Sequence, residues 1–165
     1  MKKIIKYNIS ICLLFLVVSS CQKDDICPEG SETTPLLVIE FYDADDRETL
    51  KAVQNLSVYA VNLNDTLSLL GPVTVDRIEI PLRTDTTNTN YRFVIEPDGE
   101  EMNSDTISFF YSPTTEYLNR ACGFKVNYSN LRLDLKEDGD NWIRTTDIPI
   151  NQIENDSTVH VEIYH

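Results

Sequence analysis

The sequence predicts an all-β fold, an antiparallel β-sandwich of about eight strands. Apolar and polar residues alternate along most of the chain, as they do in strands with one buried face. Short segments rich in Pro, Gly, Asn and Asp separate these stretches and are typical of turns. An immunoglobulin-like or a transthyretin-like sandwich fits this pattern, and a small closed barrel is the alternative.

Each alternating segment places apolar residues at every second position, which defines its inward face. The inward sets are, in order, Leu37/Ile39/Phe41, Tyr59/Val61/Leu63, Ile78/Ile80/Leu82, Tyr91/Phe93/Ile95, Ile107/Phe109/Tyr111, Phe124/Val126/Tyr128, Leu131/Leu133/Leu135 and Val159/Val161/Ile163. Pro81 predicts an edge strand or a bulge, because proline cannot donate to the ladder. The odd step from Tyr128 to Leu131 predicts a bulge or turn at Ser129 and Asn130.

Two further segments are weaker. Trp142–Ile150 predicts a strand that Pro149 interrupts, and Asp46–Gln54 has helical spacing over a turn or two only.

The first twenty residues predict a secretory signal peptide. Three lysines within the first six residues precede an apolar run, and the small residues Ser19 and Ser20 follow. The run is too short to span a bilayer. We therefore expect residues 1–20 to be removed, 21–34 to form an acidic tether, and 35–165 to form the β-sandwich domain.

The exit of this segment, Val18-Ser19-Ser20-Cys21, resembles a bacterial lipobox. The resemblance implies that Cys21 is acylated and becomes the new N-terminus, which anchors the chain to a membrane. The next residues, Gln22, Lys23, Asp24 and Asp25, resemble the surface-export signal of Bacteroidota lipoproteins. We therefore expect a lipid-anchored outer-membrane protein on the cell surface. The alternative is that Asp24 and Asp25 belong to an ordinary acidic tether, whose charges serve only solvation.

Two of the four cysteines remain available for a disulfide. Cys12 leaves with the signal peptide and Cys21 takes the lipid, so Cys27 and Cys122 are left. An oxidising envelope compartment favours a bridge between them, and two free thiols are the alternative.

Composition excludes several functions. The net charge is −13, which argues against nucleic acid as a partner, because affinity for phosphates comes from Lys and Arg.

We expect no cofactor, no metal and no catalytic residue. Both histidines lie in the last six residues, and alternation predicts that His160 is exposed on its strand. The acidic clusters lack the spacing of a calcium loop, and solvated turns explain them. Their members are Asp43, Asp45, Asp46, Glu48, Asp98, Glu100, Glu101, Glu137, Asp138 and Asp140.

Four tripeptides resemble the Asp-Ser/Thr acceptor of Bacteroidota O-glycosylation. The candidate acceptor residues are Thr66, Thr86, Thr106 and Ser157. Such short motifs also arise by chance in a chain rich in Asp and Thr.

Several stretches together resemble a family of small Bacteroidota lipoproteins catalogued as a domain of unknown function. They are 34–43, 105–109, 121–125, 153–155 and 160–164. The resemblance implies a lipid anchor and a compact β-rich domain, but no activity or ligand. The N-terminal third also resembles fimbrial anchor proteins of the same phylum.

We therefore expect a non-catalytic surface lipoprotein that acts as an interaction or accessory subunit of an envelope assembly, with a protein partner there. A glycan- or calcium-binding surface lipoprotein and a periplasm-facing partner of an outer-membrane barrel are the alternatives.

Overall fold

The computed structural model describes residues 26–62, 66–96 and 102–165. Nine strands and no helix are found in these ranges. The strands are β1 (Leu37–Tyr42), β2 (Val53–Val61), β3 (Thr66–Val75), β4 (Arg77–Ile80), β5 (Asn88–Ile95), β6 (Asn103–Asn119), β7 (Gly123–Lys136), β8 (Thr145–Asp147) and β9 (Val161–Tyr164).

The strands form two sheets, which confirms the predicted all-β fold. Sheet I has the order β4-β1-β9-β8, and sheet II has the order β3-β2-β5-β6-β7. The pairs β1–β4, β2–β3, β2–β5, β5–β6 and β8–β9 are antiparallel, whereas β1 and β9 run parallel. The architecture is that of a β-sandwich.

One core is shared by the inner faces of both sheets. Sheet I contributes Leu37, Ile39 and Phe41, and sheet II contributes Phe93 and Ile107, among others. All five side chains are fully buried. Alternation predicted these faces correctly, because each strand has one face on this core.

The chain divides into two compact units. The larger comprises Thr33–Glu116 and Lys125–His165 and holds the core. The described part of the smaller comprises residues 26–32 and Tyr117–Phe124. Within it, Cys27 and Cys122 form the predicted disulfide. Among the described residues, no helix is long and apolar enough to cross a membrane.

Three buried tyrosines of sheet II bind the segment that follows β4. Tyr91 Oη donates to the carbonyl of Pro81, Tyr128 Oη to that of Leu82 at 3.1 Å, and Tyr111 Oη to that of Arg83 at 2.9 Å. We call residues 81–83 the strap. Each of its three carbonyls thus accepts a hydrogen bond from one tyrosine hydroxyl. The strap leaves sheet I and leads to β5 of sheet II, so these bonds join the two sheets.

The strand β3 was not predicted. The inward face of β2 was also predicted wrongly, since Leu56 and Val58 are buried while Tyr59 and Val61 are only partly so, and Leu63 lies outside the described residues. The physical reason is a series of register shifts between β2 and β3, with Asn55 at a positive φ of 50°, which changes the face that meets the core.

Three smaller predictions need adjustment. Residues 46–49 form a turn in which Thr49 N donates to Asp46 O, and Val53 and Gln54 already belong to β2, so the segment is not a helix. The predicted strand Trp142–Ile150 is reduced to β8. Phe124 is exposed, because it lies beside the turn at the start of β7. The predicted face switch is confirmed, with Asn130 at a φ of 55°.

The prediction that His160 is exposed is wrong. Its side chain is fully buried, its main-chain N–H donates to Val38 O, and its ring Nδ1 accepts the Val38 N–H, both at 3.1 Å. The ring therefore supplies β1 with an acceptor just before β9 begins. Burial lowers the pKa of His160, because the charged form would lose its hydration.

We expect Tyr128→Phe to lower the free energy of unfolding by about 1–3 kcal/mol, because it leaves the buried Leu82 carbonyl without its donor. Urea unfolding measures the difference. Tyr117→Phe is the matched control, since that side chain is exposed, and it should change stability by less than about 0.5 kcal/mol. Equal losses in the two variants would contradict the role of the strap.

We expect His160 to make the folded state less stable as the pH falls below about 6.5, because the unfolded chain takes up a proton there and the folded chain resists it. His160→Asn keeps an acceptor for Val38 and cannot be protonated. Its unfolding free energy should therefore depend less steeply on pH between about pH 7 and pH 5. Urea unfolding across that range tests this. His165, whose pKa burial also lowers, is present in both proteins and cancels. Parallel curves would refute the assignment.

Candidate functional site

Three of the four sheet edges are protected against pairing with another chain. In sheet I, β4 has only four residues, two of them charged, and Pro81 follows it, while β8 has three residues. In sheet II, the middle of β7 is bonded to residues 151–153, since Tyr128 and Ile153 exchange two backbone hydrogen bonds, and exposed Arg132, Asp134 and Lys136 place charges on the part that follows. Short strands, charges, prolines and covering segments are the means by which proteins block their edges.

The fourth edge, β3, has little of this protection. It has ten residues, and none of them is charged. Leu67 is 64% exposed, and Leu69, Leu70, Val73 and Val75 are partly exposed. Gly71 and Pro72 interrupt the strand at a register shift. An uncharged and largely apolar edge of this length is unusual, in particular within a chain that is 25% charged.

A groove lies between β3 and β4, the neighbouring edges of the two sheets. It has a volume of about 440 Å³, and Leu69, Leu70, Val73 and Val75 line it from the β3 side. Residues 77–81 line the other side.

A second hollow of about 270 Å³ continues the groove toward Leu67 and Tyr91. The two hollows share Leu69 and Pro81, so they form one apolar channel beside β3. The strap forms part of the wall of this channel, and the three tyrosine hydroxyls hold it in place.

The cations at the groove are neutralised by neighbouring acids. Arg77 contacts Glu40 and Glu79 at 3.3 Å each and also donates to Asp156 O. Arg83 makes two hydrogen bonds to Asp85, at 3.0 and 2.8 Å, and these lower the pKa of that carboxyl. The groove therefore offers no free positive charge to an anionic ligand, and its chemistry is that of apolar contact and backbone hydrogen bonding.

The predicted anchor and export signal lie outside the described residues, so Cys21, Gln22, Lys23, Asp24 and Asp25 stay predictions. The disulfide is confirmed, and Cys122 Sγ also lies 3.4 Å from Ser31 Oγ.

The structure separates the four candidate acceptors for glycosylation by their surroundings. Ser157 is exposed and its Oγ contacts Asn155 Oδ1, and Thr66 is exposed at the start of β3. Thr86 is partly buried and donates to Asn88 Oδ1. Thr106 lies partly buried within β6, where the preceding Asp105 is fully buried. Their modification stays a prediction.

The described acids serve local structure. Asp43 accepts the N–H groups of Asp45 and Asp46 and pairs with Lys51 at 2.9 Å, which lowers its pKa to about 2. Asp105 accepts the N–H of Ile143 at 2.8 Å and an amide proton of Asn141, yet burial raises its pKa.

Acidic side chains are the ligands that a hard metal ion such as calcium would require. Asp98, Glu100 and Glu101 lie outside the described residues. Within 26–62, 66–96 and 102–165, no three His, Cys, Asp or Glu side chains are grouped to hold a metal ion.

A polar hollow of about 350 Å³ lies elsewhere on the sandwich. Thr114, Thr115, Glu116, Gln152 and Glu154 contribute to its lining. No exposed aromatic ring lines it for stacking on a sugar, so it supports glycan binding less well than the channel supports a peptide.

Comparison with known proteins gives a family. A profile of DUF6452, described as a family of unknown function, matches residues 55–165. The chain belongs to the DUF6452 family. The match includes β3, β4 and the strap, so the channel lies within the DUF6452 region. No curated protein and no solved structure matches the chain significantly. The predicted membership in a family of unknown function is thus confirmed for these residues.

The sequence did contain a signal for the missed strand. Between Asp65 and Asp76 the chain has no charged residue, and Thr, Leu and Val dominate. The run Leu69-Leu70-Gly71-Pro72 breaks the alternation and conceals the strand. The sequence could not show that β3 lies at a sheet edge, because that position follows from the pairing of β2 with both β3 and β5.

Proposed function

We propose that this DUF6452 protein is a lipid-anchored outer-membrane lipoprotein on the cell surface that acts without catalysis, by binding an extended segment of another envelope protein along β3. The N-terminal pattern of the sequence supports the anchor and the location. The uncharged β3 edge beside an apolar channel supports the mode of binding.

The weakly protected β3 edge is the observation that carries the proposal. An edge strand directs part of its backbone N–H and C=O groups away from its sheet, and a peptide in extended conformation satisfies them. Leu67–Leu70 and Val73–Val75 offer such groups on either side of Pro72, which has no N–H. Main-chain hydrogen bonds supply affinity in this mode, and pockets for alternate side chains supply specificity.

The channel defines the chemistry of the partner. Its lining is mostly apolar, so every second side chain of the bound segment should be apolar. The protein carries a net charge of −13, so the segment should be neutral or basic. Ten residues of β3 extend over about 33 Å, which sets the greatest length of the added strand.

We expect a photo-crosslinking residue placed at Ser68 to capture one partner in intact cells, because Ser68 is exposed on β3. The same residue at Asp134, exposed on the protected edge strand β7, is the control and should not capture it. Leu67→Lys should abolish capture, since it places a charge on the edge. It should change stability by less than about 0.5 kcal/mol, as should Met102→Lys, an exposed control that should leave capture intact. Equal capture from both positions, or capture that survives Leu67→Lys, would refute strand addition.

A separate experiment tests the anchor and the location. We expect the chain purified from its own cells to begin at an acylated Cys21, by intact mass, and Cys21→Ser to leave the membrane fraction. Protease treatment of unbroken cells should remove the domain. An unmodified N-terminus would contradict the anchor. Protection of the domain until the outer membrane is opened, with cleavage afterwards, would place it in the periplasm.

A further inference from the structure

The turn between β6 and β7 presents an exposed aromatic pair. We call the segment Tyr117–Phe124 the hairpin tip. Tyr117 is 58% exposed and Phe124 is 67% exposed, and their rings meet edge to face with centroids 5.1 Å apart. Two neighbouring aromatic rings in water are costly unless something covers them.

The hairpin tip has a defined shape. Asn119 Oδ1 accepts the N–H groups of Ala121 and Cys122 at 2.9 and 2.8 Å, which closes the turn. Gly123 follows with a φ of +73°, a conformation that glycine adopts without strain. The rings are therefore presented by a constrained turn, and a partner would not have to order the turn first.

The charge of the hairpin tip differs from that of the whole chain. The chain has 27 acidic residues, yet none lies in Tyr117–Phe124, where Arg120 is the single charged residue and is exposed. In the rest of the smaller unit, the described acids are Glu29 and Glu32. Exposed Glu116 precedes the hairpin tip, but the hairpin tip itself carries no carboxylate that an anionic surface would repel.

The disulfide connects the hairpin tip to the predicted anchor. Cys122 is bonded to Cys27, which lies six residues after Cys21. Six residues span at most about 20 Å. Ile26, next to Cys27, is 81% exposed. An acyl group on Cys21 would thus keep the hairpin tip within a short distance of the membrane surface.

We propose that the hairpin tip binds the surface of the membrane that carries the Cys21 anchor, with Tyr117 and Phe124 in the interfacial region and Arg120 at lipid phosphates. This proposal rests on the anchoring proposed above. Aromatic rings with one polar end favour the headgroup level of a bilayer, and an apolar ring beside them adds buried area. The disulfide then joins the lipid and the hairpin tip into one membrane-contacting unit.

Fluorescence quenching tests the proposal on the full acylated chain. The protein is reconstituted into phosphatidylcholine/phosphatidylglycerol vesicles with and without lipids brominated on the acyl chains. Phe124→Trp adds a reporter at the hairpin tip, and Leu67→Trp adds one at an equally exposed site on β3, which is 64% exposed. The natural chain, with Trp142 as its one tryptophan, provides the background signal.

We expect the Phe124→Trp reporter to emit at shorter wavelength and to lose most of its added fluorescence in brominated vesicles, while the Leu67→Trp reporter loses little. The Cys27→Ser variant of the Phe124→Trp chain should lose less fluorescence, because the covalent link between anchor and hairpin tip is gone. A merely exposed aromatic pair would not respond to that link.

Intact mass separates the two proposals. If the chain is acylated and vesicle-bound but the two reporters respond alike, the hairpin-tip proposal is overturned and the anchor stands. If no acyl group is present on Cys21, the anchor fails, and the hairpin-tip proposal that rests on it fails too.

Discussion

The hydrogen bonds from three tyrosine hydroxyls to the strap hold the two sheets of this sandwich together on the side where it could bind a partner. The chain leaves sheet I at Ile80 and enters sheet II at Asn88, and without regular structure its carbonyls would lack donors. A buried carbonyl without a donor is costly, so the hydroxyls stabilise this crossing, above all at Leu82, the buried residue of the strap. Because the strap is also a wall of the channel, the core determines the shape of the channel.

Protection of the other edges gives the β3 edge its significance. A sandwich that left all its edges open would aggregate, and this one blocks three by shortness, by charge or by backbone pairing. The strong negative charge of the chain keeps copies apart in solution. A single uncharged edge on such a molecule favours a specific neutral or basic partner over self-association.

Sequence alone predicted the fold class and most inward faces, because burial on one side imposes a period of two. It did so for Leu37, Ile39 and Phe41, and for Ile107 and Phe109, where no bulge intervenes. It failed for β2 and β3, where register shifts change the face, and for His160, whose ring replaces a backbone acceptor. The channel could not be predicted, because it joins β3 to residues of β4 and the strap through sheet order. The cysteine pair could, since counting left one partner for each.

The parallel pairing of β1 with β9 has a consequence for when the molecule can fold. β9 lies inside sheet I, between β1 and β8, and it is the last of the described strands. Sheet I therefore cannot be completed until β9 has been synthesised, and β1 and β9 must then meet across more than a hundred intervening residues. Such distant pairing is slow to form. A nascent chain of this protein therefore keeps sheet I incomplete until β9 has been made.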